Sequence, residues 1–189
     1  FTLPLSDAAS ARVAPLLAAA ASPSHDLPLL AVLAFDNQSS DAEMQYFSDG
    51  VSEEIIQRLS RGTQLKVIGR TSSFQFRGER KAEAAERLAC SHVLDGSIRR
   101  VAGRVRISAH LMDAASRTTL WSDRYGRGLE DIVAVQDEIA SKITNHLREL
   151  LGDDQHGKQL VKKATVNLEA YETYLKGLYY FNQWGDEAM

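Results

Sequence analysis

The stretch from Val93 to Tyr125, VLDGSIRRVAGRVRISAHLMDAASRTTLWSDRY, constrains this chain more than any other. Val105, Ile107, Ala109 and Leu111 alternate with Arg106, Ser108, His110 and Met112, a period of two that marks a strand with one apolar face. Folding the preceding segment back across Ala102-Gly103 sets Ile98 against Ile107, Gly96 against Ala109 and Leu94 against Leu111. On the other face Arg99 meets Arg106, Ser97 meets Ser108 and Asp95 meets His110. A slip of one residue would turn every apolar side chain to the wrong side, so a single register is specified. A two-residue turn would place Ala102 at positive φ, which alanine resists. A four-residue loop, Val101 to Arg104, keeps the same phase and is the expected connection. A second turn, Asp113 to Arg117, leads into a third strand, TTLWSDRY. Alternation leaves open whether Leu120 or Trp121 faces inward there. The result is a platform with no nucleophile, metal cluster or phosphate loop on it.

The segments before the platform supply its partners. Leu29 to Phe35, LLAVLAF, is a short apolar run between Pro28 and Asp36-Asn37, the pattern of a strand buried on both faces. Ser40-Asp41-Ala42-Glu43 has capping-box spacing. A helix follows with Phe47, Val51, Ile55 and Leu59 on one stripe and Gly62 as its stop. Gly50 weakens that helix by about 1 kcal/mol relative to alanine, which moves the expected start toward Ser48-Asp49. Leu65 to Gly69 is a second strand, and strand-helix-strand order predicts a parallel crossover. Arg70 to Gly78 is a loop or short turn carrying Phe74 and Phe76. Lys81 to Ala89 is a short helix with Ala85, Leu88 and Ala89 inward. After the platform, Leu129, Ile132, Gln136, Ile139, Ile143, Leu147 and Leu150 recur at helical spacing, and Gly152 ends the run. The order is βαβαβββα: an α/β fold with a mixed sheet and helices packed on it.

This domain is expected over residues 29–151. Residues 1–28, rich in Ala, Ser and Pro, read as a linker or N-terminal arm, and residues 152–164 as a polar linker. In residues 165–189, Asn167 can cap a last helix that carries Tyr171, Tyr174, Tyr179, Tyr180, Phe181 and Trp184. So aromatic a helix needs company: the domain, another chain or a following helix.

Composition narrows the function classes. A net charge of −3 argues against a nucleic-acid surface. A single cysteine, Cys90, excludes an intrachain disulfide, and its place on an apolar helix face suits a buried inert thiol. No run approaches the roughly 20 apolar residues of a membrane helix. The chain opens at Phe1, so a piece of a longer protein is expected, with any membrane anchor upstream.

Site candidates are few. His25, His92, His110, His146 and His156 lack metal-site spacing, and no metal or cofactor is expected. Glu53-Glu54 and Asp153-Asp154 are adjacent pairs, which point apart on a helix and do not form a catalytic dyad. Ser72-Ser73 lacks a nucleophile-elbow context. Arg99, Arg100, Arg104 and Arg106 cluster at the hairpin tip. Such a cluster suits phosphate, but arginine at a tip also guards ordinary strands against edge pairing. Ligands of open α/β sheets sit beyond the carboxyl ends of parallel strands. Those ends deliver Asp36, Asn37 and Ser39 after the first strand and Arg70, Ser72 and Ser73 after the second, with Asp49 nearby. These residues form a candidate ligand crevice. Its ordinary reading is turn capping and ion pairing. Tyr171, Tyr174, Tyr179 and Trp184 form a candidate partner surface.

Colinear segments carry a family likeness. LAVLAFDNQSSDAEMQYFSDGVSEEIIQRLSR, VIGRTSSFQFRG, HVLDGSIRRVAGRVRISAHLMDA, LWSDRYGRGLEDIVAVQDEIA and YETYLKGLYYFNQ resemble the TolB amino-terminal-like domain, from about Leu29 to Phe181. That module occurs in bacterial multidomain proteins after a cyclase catalytic domain or a winged-helix domain, often beyond a membrane span and before tetratricopeptide repeats. Gly177 and Tyr180 fit the G-x-x-Y spacing of such a repeat. Arg117, and a position near Ser91, stand where the family tends to have glycine. The resemblance implies a non-catalytic sensory or scaffolding module of a membrane-anchored signalling protein, an adenylate/guanylate cyclase or a transcriptional regulator. It implies a protein partner or a homodimer, no nucleic acid, a membrane link only outside this fragment, and a periplasmic or membrane-associated setting with the cytoplasm left open. Small-ligand binding at the crevice is the alternative.

Overall fold

The central strand of the sheet, β4 (His92–Val101), is paired on both sides. A computed structural model of the chain describes residues 27–41, 44–62, 65–151 and 167–187. Most of the expected arm, the whole 152–164 linker, Ala42-Glu43 of the capping box and the side chain of Trp184 lie outside the described residues. The strands are β1 (Leu29–Val32), β2 (Asp36–Asn37), β3 (Lys66–Val67), β4, β5 (Arg104–Asp113) and β6 (Thr119–Gly128). The helices are α1 (Gln45–Gly62), α2 (Arg70–Ser73), α3 (Ala84–Arg87), α4 (Ile132–Leu151) and α5 (Leu168–Glu187), with 3-10 segments at Gly78–Glu83 and Leu129–Asp131. Strand order is β3-β1-β4-β5-β6, with β2 also beside β4. β1 runs parallel to both β3 and β4, and β4, β5 and β6 form the antiparallel meander, so the sheet is mixed.

The β4–β5 register pairs Leu94 with Leu111, Gly96 with Ala109 and Ile98 with Ile107, as alternation requires. The turn corrects the sequence expectation. Val101 pairs with Arg104, which leaves a two-residue loop with Ala102 at φ 49° and Gly103 at φ 77°. Both central residues are left-handed because only such turns match the twist of the flanking strands, and the long ladder overrides alanine's preference. Arg117, at φ 57°, takes the same conformation in the second turn. That turn is held by Asp113, whose carboxylate accepts from the Ser116 amide and hydroxyl at 2.7 and 2.6 Å. Leu120 and Trp121 are both partly buried against the core, with a bulge between Leu111 and Met112 accommodating them.

One face of the sheet is covered by α1 and α4. Phe47, Val51, Ile55 and Leu59 of α1 and Ile139, Ile143 and Leu147 of α4 are fully buried against Leu30, Val32, Leu94, Ile107 and Leu111. Each such side chain contributes about 1.5–3 kcal/mol. Among the described residues, the second face is covered at one end, where Phe76, Ala84 and Cys90 meet Ala31, Leu33 and Val93. Burial pushes the Cys90 thiol pKa up, as suits an inert core cysteine.

Several boundaries differ from the sequence expectation. α1 starts at Gln45 and runs straight through Gly50. β1 ends at Val32, although Leu33, Ala34 and Phe35 remain buried. In the short helical layer Ala84 is buried and Ala89, at φ 48°, is exposed. Leu150, expected on the apolar stripe, is exposed.

Two substitutions test this frame. Ala102→Asn, which suits a left-handed turn position, is expected to raise stability by about 0.5–1 kcal/mol, or roughly 1–4 °C in a thermal melt. At Gly96 an added Cβ would lie 2.4 Å from the Ser108 carbonyl oxygen and 2.8 Å from the Phe35 ring. Gly96→Ala is therefore expected to cost about 2–3 kcal/mol in chemical denaturation, because backbone cannot step aside cheaply.

Candidate functional site

The carboxyl ends of β1 and β3 do deliver charged groups into one region, but the groups arrive already paired. Asp49, on α1 and 4% exposed, accepts both guanidinium nitrogens of Arg77 at 2.8 and 2.7 Å and the Gln45 amide at 2.8 Å. Burial alone would lower the Arg77 pKa, and the Asp49 carboxylate more than reverses it. Arg70 lies 3.2 Å from Glu53 and stacks on the Phe74 ring at 4.9 Å, where Arg77 stacks too at 5.4 Å. Burial raises the Glu53 pKa, with Arg70 opposing the rise. Two arginines thus share one aromatic ring, each with its own carboxylate.

The remaining crevice residues divide. Asp36 pairs with Lys81 at 2.8 Å, and Lys81 also reaches Asp95 at 2.7 Å. Asp95 lies 3.9 Å from His110, a loose cross-strand pair. Asn37 accepts from the Ser39 amide at 2.9 Å and donates to the Asp41 carbonyl at 2.8 Å, a side-chain turn that ends the strand. Ser39 accepts from the Arg100 amide at 2.9 Å, which ties the turn to β4. Ser72 is exposed, whereas Ser73 is buried. The structure therefore gathers Asp49 and Arg70 around Phe74, puts Asp36 on the far side of Lys81, and leaves Ser39 and Ser72 apart. The sequence pattern does not assign Arg77, Glu53, Phe74 or Lys81 to this region. Their partners lie far along the chain, 28 residues for Arg77 and Asp49 and 129 for Glu53 and Asn182, and no local pattern marks them.

α5 roofs this region. Asn167 caps it, accepting from the Glu169 and Ala170 amides at 3.0 and 3.3 Å. Leu175 sits on Gly50: an added Cβ there would be 2.6 Å from the Leu175 side chain. Tyr171 is buried, and its hydroxyl accepts from Gln136 at 2.7 Å. Burial, chiefly, holds the Tyr171 pKa far above the usual phenol value. Tyr174 donates to Glu54 at 2.9 Å, Asn182 donates to Glu53 at 3.2 Å, and Glu172 pairs with Arg100 at 3.1 Å. Glu53 and Glu54 thus face different partners. Of the candidate partner surface, Tyr171 faces the domain, Tyr179 is half-buried and Tyr174 is exposed. Tyr180 and Phe181 are 61% and 76% exposed and point away.

Among the described residues no group of histidine, cysteine and carboxylate side chains could hold a metal, and no helix is long and apolar enough to cross a membrane.

No family model matches the chain. A Rhizobium meliloti (strain 1021) protein named "Putative adenylate cyclase 3" is 42% identical over 153 residues, covering 79% of this chain and 26% of that protein. The chain spans about a quarter of the curated relative it matches. The crystal structure of TolB from Acinetobacter baumannii superposes with a TM-score of 0.50 at 16% identity, over 65% of this chain and 29% of that one. The fold is TolB-like.

The α5 seat has a measurable signature. Tyr171→Phe strands the buried Gln136 amide and is expected to cost about 1–3 kcal/mol in denaturant unfolding, whereas adding Gln136→Met should recover most of the loss.

Proposed function

We propose that this TolB-like unit is a non-catalytic sensory or scaffolding domain that works by binding protein, within a larger membrane-anchored signalling protein. One observation carries the reading: α5 is fastened to the domain along one side while Tyr180 and Phe181 stay exposed on the other. Large apolar side chains side by side in water mark an interaction surface. The occupant is a second copy of the chain or the next helix of a tetratricopeptide-like array that begins within residues 165–189. The likeness to a relative bearing a cyclase name supports a signalling parent, an adenylate/guanylate cyclase or a transcriptional regulator. A periplasmic or membrane-associated setting goes with this reading, the membrane link lying outside the fragment.

A second reading is a small-ligand domain using Asp36, Asn37, Ser39, Asp49, Arg70 and Ser72. It stands behind the first because a ligand would have to break the Asp49–Arg77 and Glu53–Arg70 pairs beneath α5. If it holds, Arg70→Ala removes ligand affinity.

Sedimentation velocity across a concentration series, with parallel titration of nucleotides and other small ligands, tests the proposal. Concentration-dependent self-association that Tyr180→Ser/Phe181→Asp abolishes, at an unchanged melting temperature, is the expected result. A strict monomer that takes a small ligand tightly overturns it.

A further inference from the structure

The arginines of the meander lie where edge protection is not needed. Arg99 is on β4, which is flanked by β1, β2 and β5, and Arg104 and Arg106 are on β5, which is flanked by β4 and β6. Neither strand is an edge, so guarding against strand addition does not explain these three residues. All three are exposed and share the outer sheet face with Arg124 of β6, because their neighbours Ile98, Val105, Ile107 and Tyr125 point into the core. Arg99 is paired directly with Arg106, and Arg124 with Ser108 one step along. Neighbouring strands are about 4.8 Å apart and same-face residues along a strand roughly 7 Å apart, so the guanidinium groups can converge.

Like charges set directly opposite each other destabilise a sheet. Among the described residues no carboxylate forms an ion pair with Arg99, Arg104, Arg106 or Arg124, although the Glu130 carboxylate lies against Gly128, the β6 partner of Arg104. By contrast, Arg58 pairs with Glu54 and Asp137, Arg70 with Glu53 and Arg77 with Asp49. The surface is also concave. Arg99, Arg104 and Arg106 line a depression of about 460 Å³ together with Val101, Ala102 and Gly126. Gly126 is the β6 partner of Arg106, and a side chain there would meet nothing, so the glycine leaves the depression open toward the edge strand.

We propose that this outer face is a binding site for a phosphate-bearing anion with two or more phosphate groups. Guanidinium forks match phosphate oxygens in bidentate geometry, and several forks from one rigid sheet suit a polyphosphate better than a single carboxylate. The absence of aromatic side chains between the arginines argues against stacked bases. The phosphates belong either to a soluble di- or triphosphate or to the headgroups of an anionic lipid surface.

The test uses the 189-residue chain. Pyrophosphate is titrated calorimetrically, and vesicles of phosphatidylglycerol or of phosphatidylcholine alone are co-sedimented, each at low and at moderate salt. Arg99→Ala/Arg106→Ala and Gly126→Glu are measured beside the wild type. Gly126→Glu sets a carboxylate in open space beside Arg106 and should fold normally. Saturable pyrophosphate binding, weakened about tenfold or more in both variants and reduced by salt, supports the site and identifies soluble phosphates as its source. Phosphatidylglycerol-specific sedimentation lost in both variants, without pyrophosphate binding, supports it with lipid as the source. Binding by neither probe, or equal binding by wild type and variants, overturns it. Melting curves separate this from a structural role: relieving the Arg99–Arg106 repulsion should leave the melting temperature unchanged or higher, and a clear fall would count against the site.

Discussion

The close approach of Phe35 to the backbone of β4 holds the two halves of the sheet together. Among the described strands, β4 alone has a parallel neighbour on one side and a long antiparallel neighbour on the other. At Gly96 the strand carries no side chain, and the Phe35 ring lies in the space a Cβ would take. Phe35 is fully buried, and its amide donates to the Ser52 hydroxyl at 2.9 Å, which in turn donates to the Ser48 carbonyl at 2.8 Å. One residue of the β1–β2 connection thus links β4 and α1. The short strands β1, β2 and β3 carry few ladder bonds of their own, so their placement depends on this packing as much as on pairing.

What could be read from the sequence follows from how local the cause is. The β4–β5 register is dictated by a period of two with one apolar face, and so it was legible residue by residue. The Phe47-Val51-Ile55-Leu59 stripe was legible for the same reason at the helical period. Ala102 was not. The alternation is the same for a two-residue and a four-residue connection, and the deciding term is strand twist, which outweighs a cost of about 1–2 kcal/mol at one alanine. Gly50 is a helix-weakening residue within α1, and Gln136 is the polar member of an otherwise apolar α4 stripe. Their reasons lie far along the chain, in Leu175 and Tyr171, and no pattern within α1 or α4 could show them.

The crevice divides the same way. The Asn37 turn is a local side-chain device, readable from residue type after an apolar strand. Asp49 and Arg70 are named by their place after an apolar strand, but their partners Arg77 and Glu53 depend on α1 and the Phe74 turn meeting in three dimensions. Charged groups at the ends of parallel strands are therefore a sound guide to where charge collects. They do not say whether the charge is already paired, and here Asp49 and Arg70 are, with Arg77 and Glu53.

The unsatisfied charge lies instead on the meander, and β4 connects it to the rest of the molecule. Arg99 and Arg100 are consecutive, so their side chains leave the strand on opposite sides. Arg99 joins the outer arginine face, while Arg100 pairs with Glu172 of α5 and rests against the Met44 sulfur. The Arg100 amide is also bound by Ser39, at the end of the β2 turn. The tip of one strand thus supports both the exposed cationic face and the docked aromatic helix. Because the two surfaces are on opposite sides of the sheet, occupying one does not cover the other. A phosphate-bearing ligand and a protein partner could be held together, with the rigid meander fixing the distance between them.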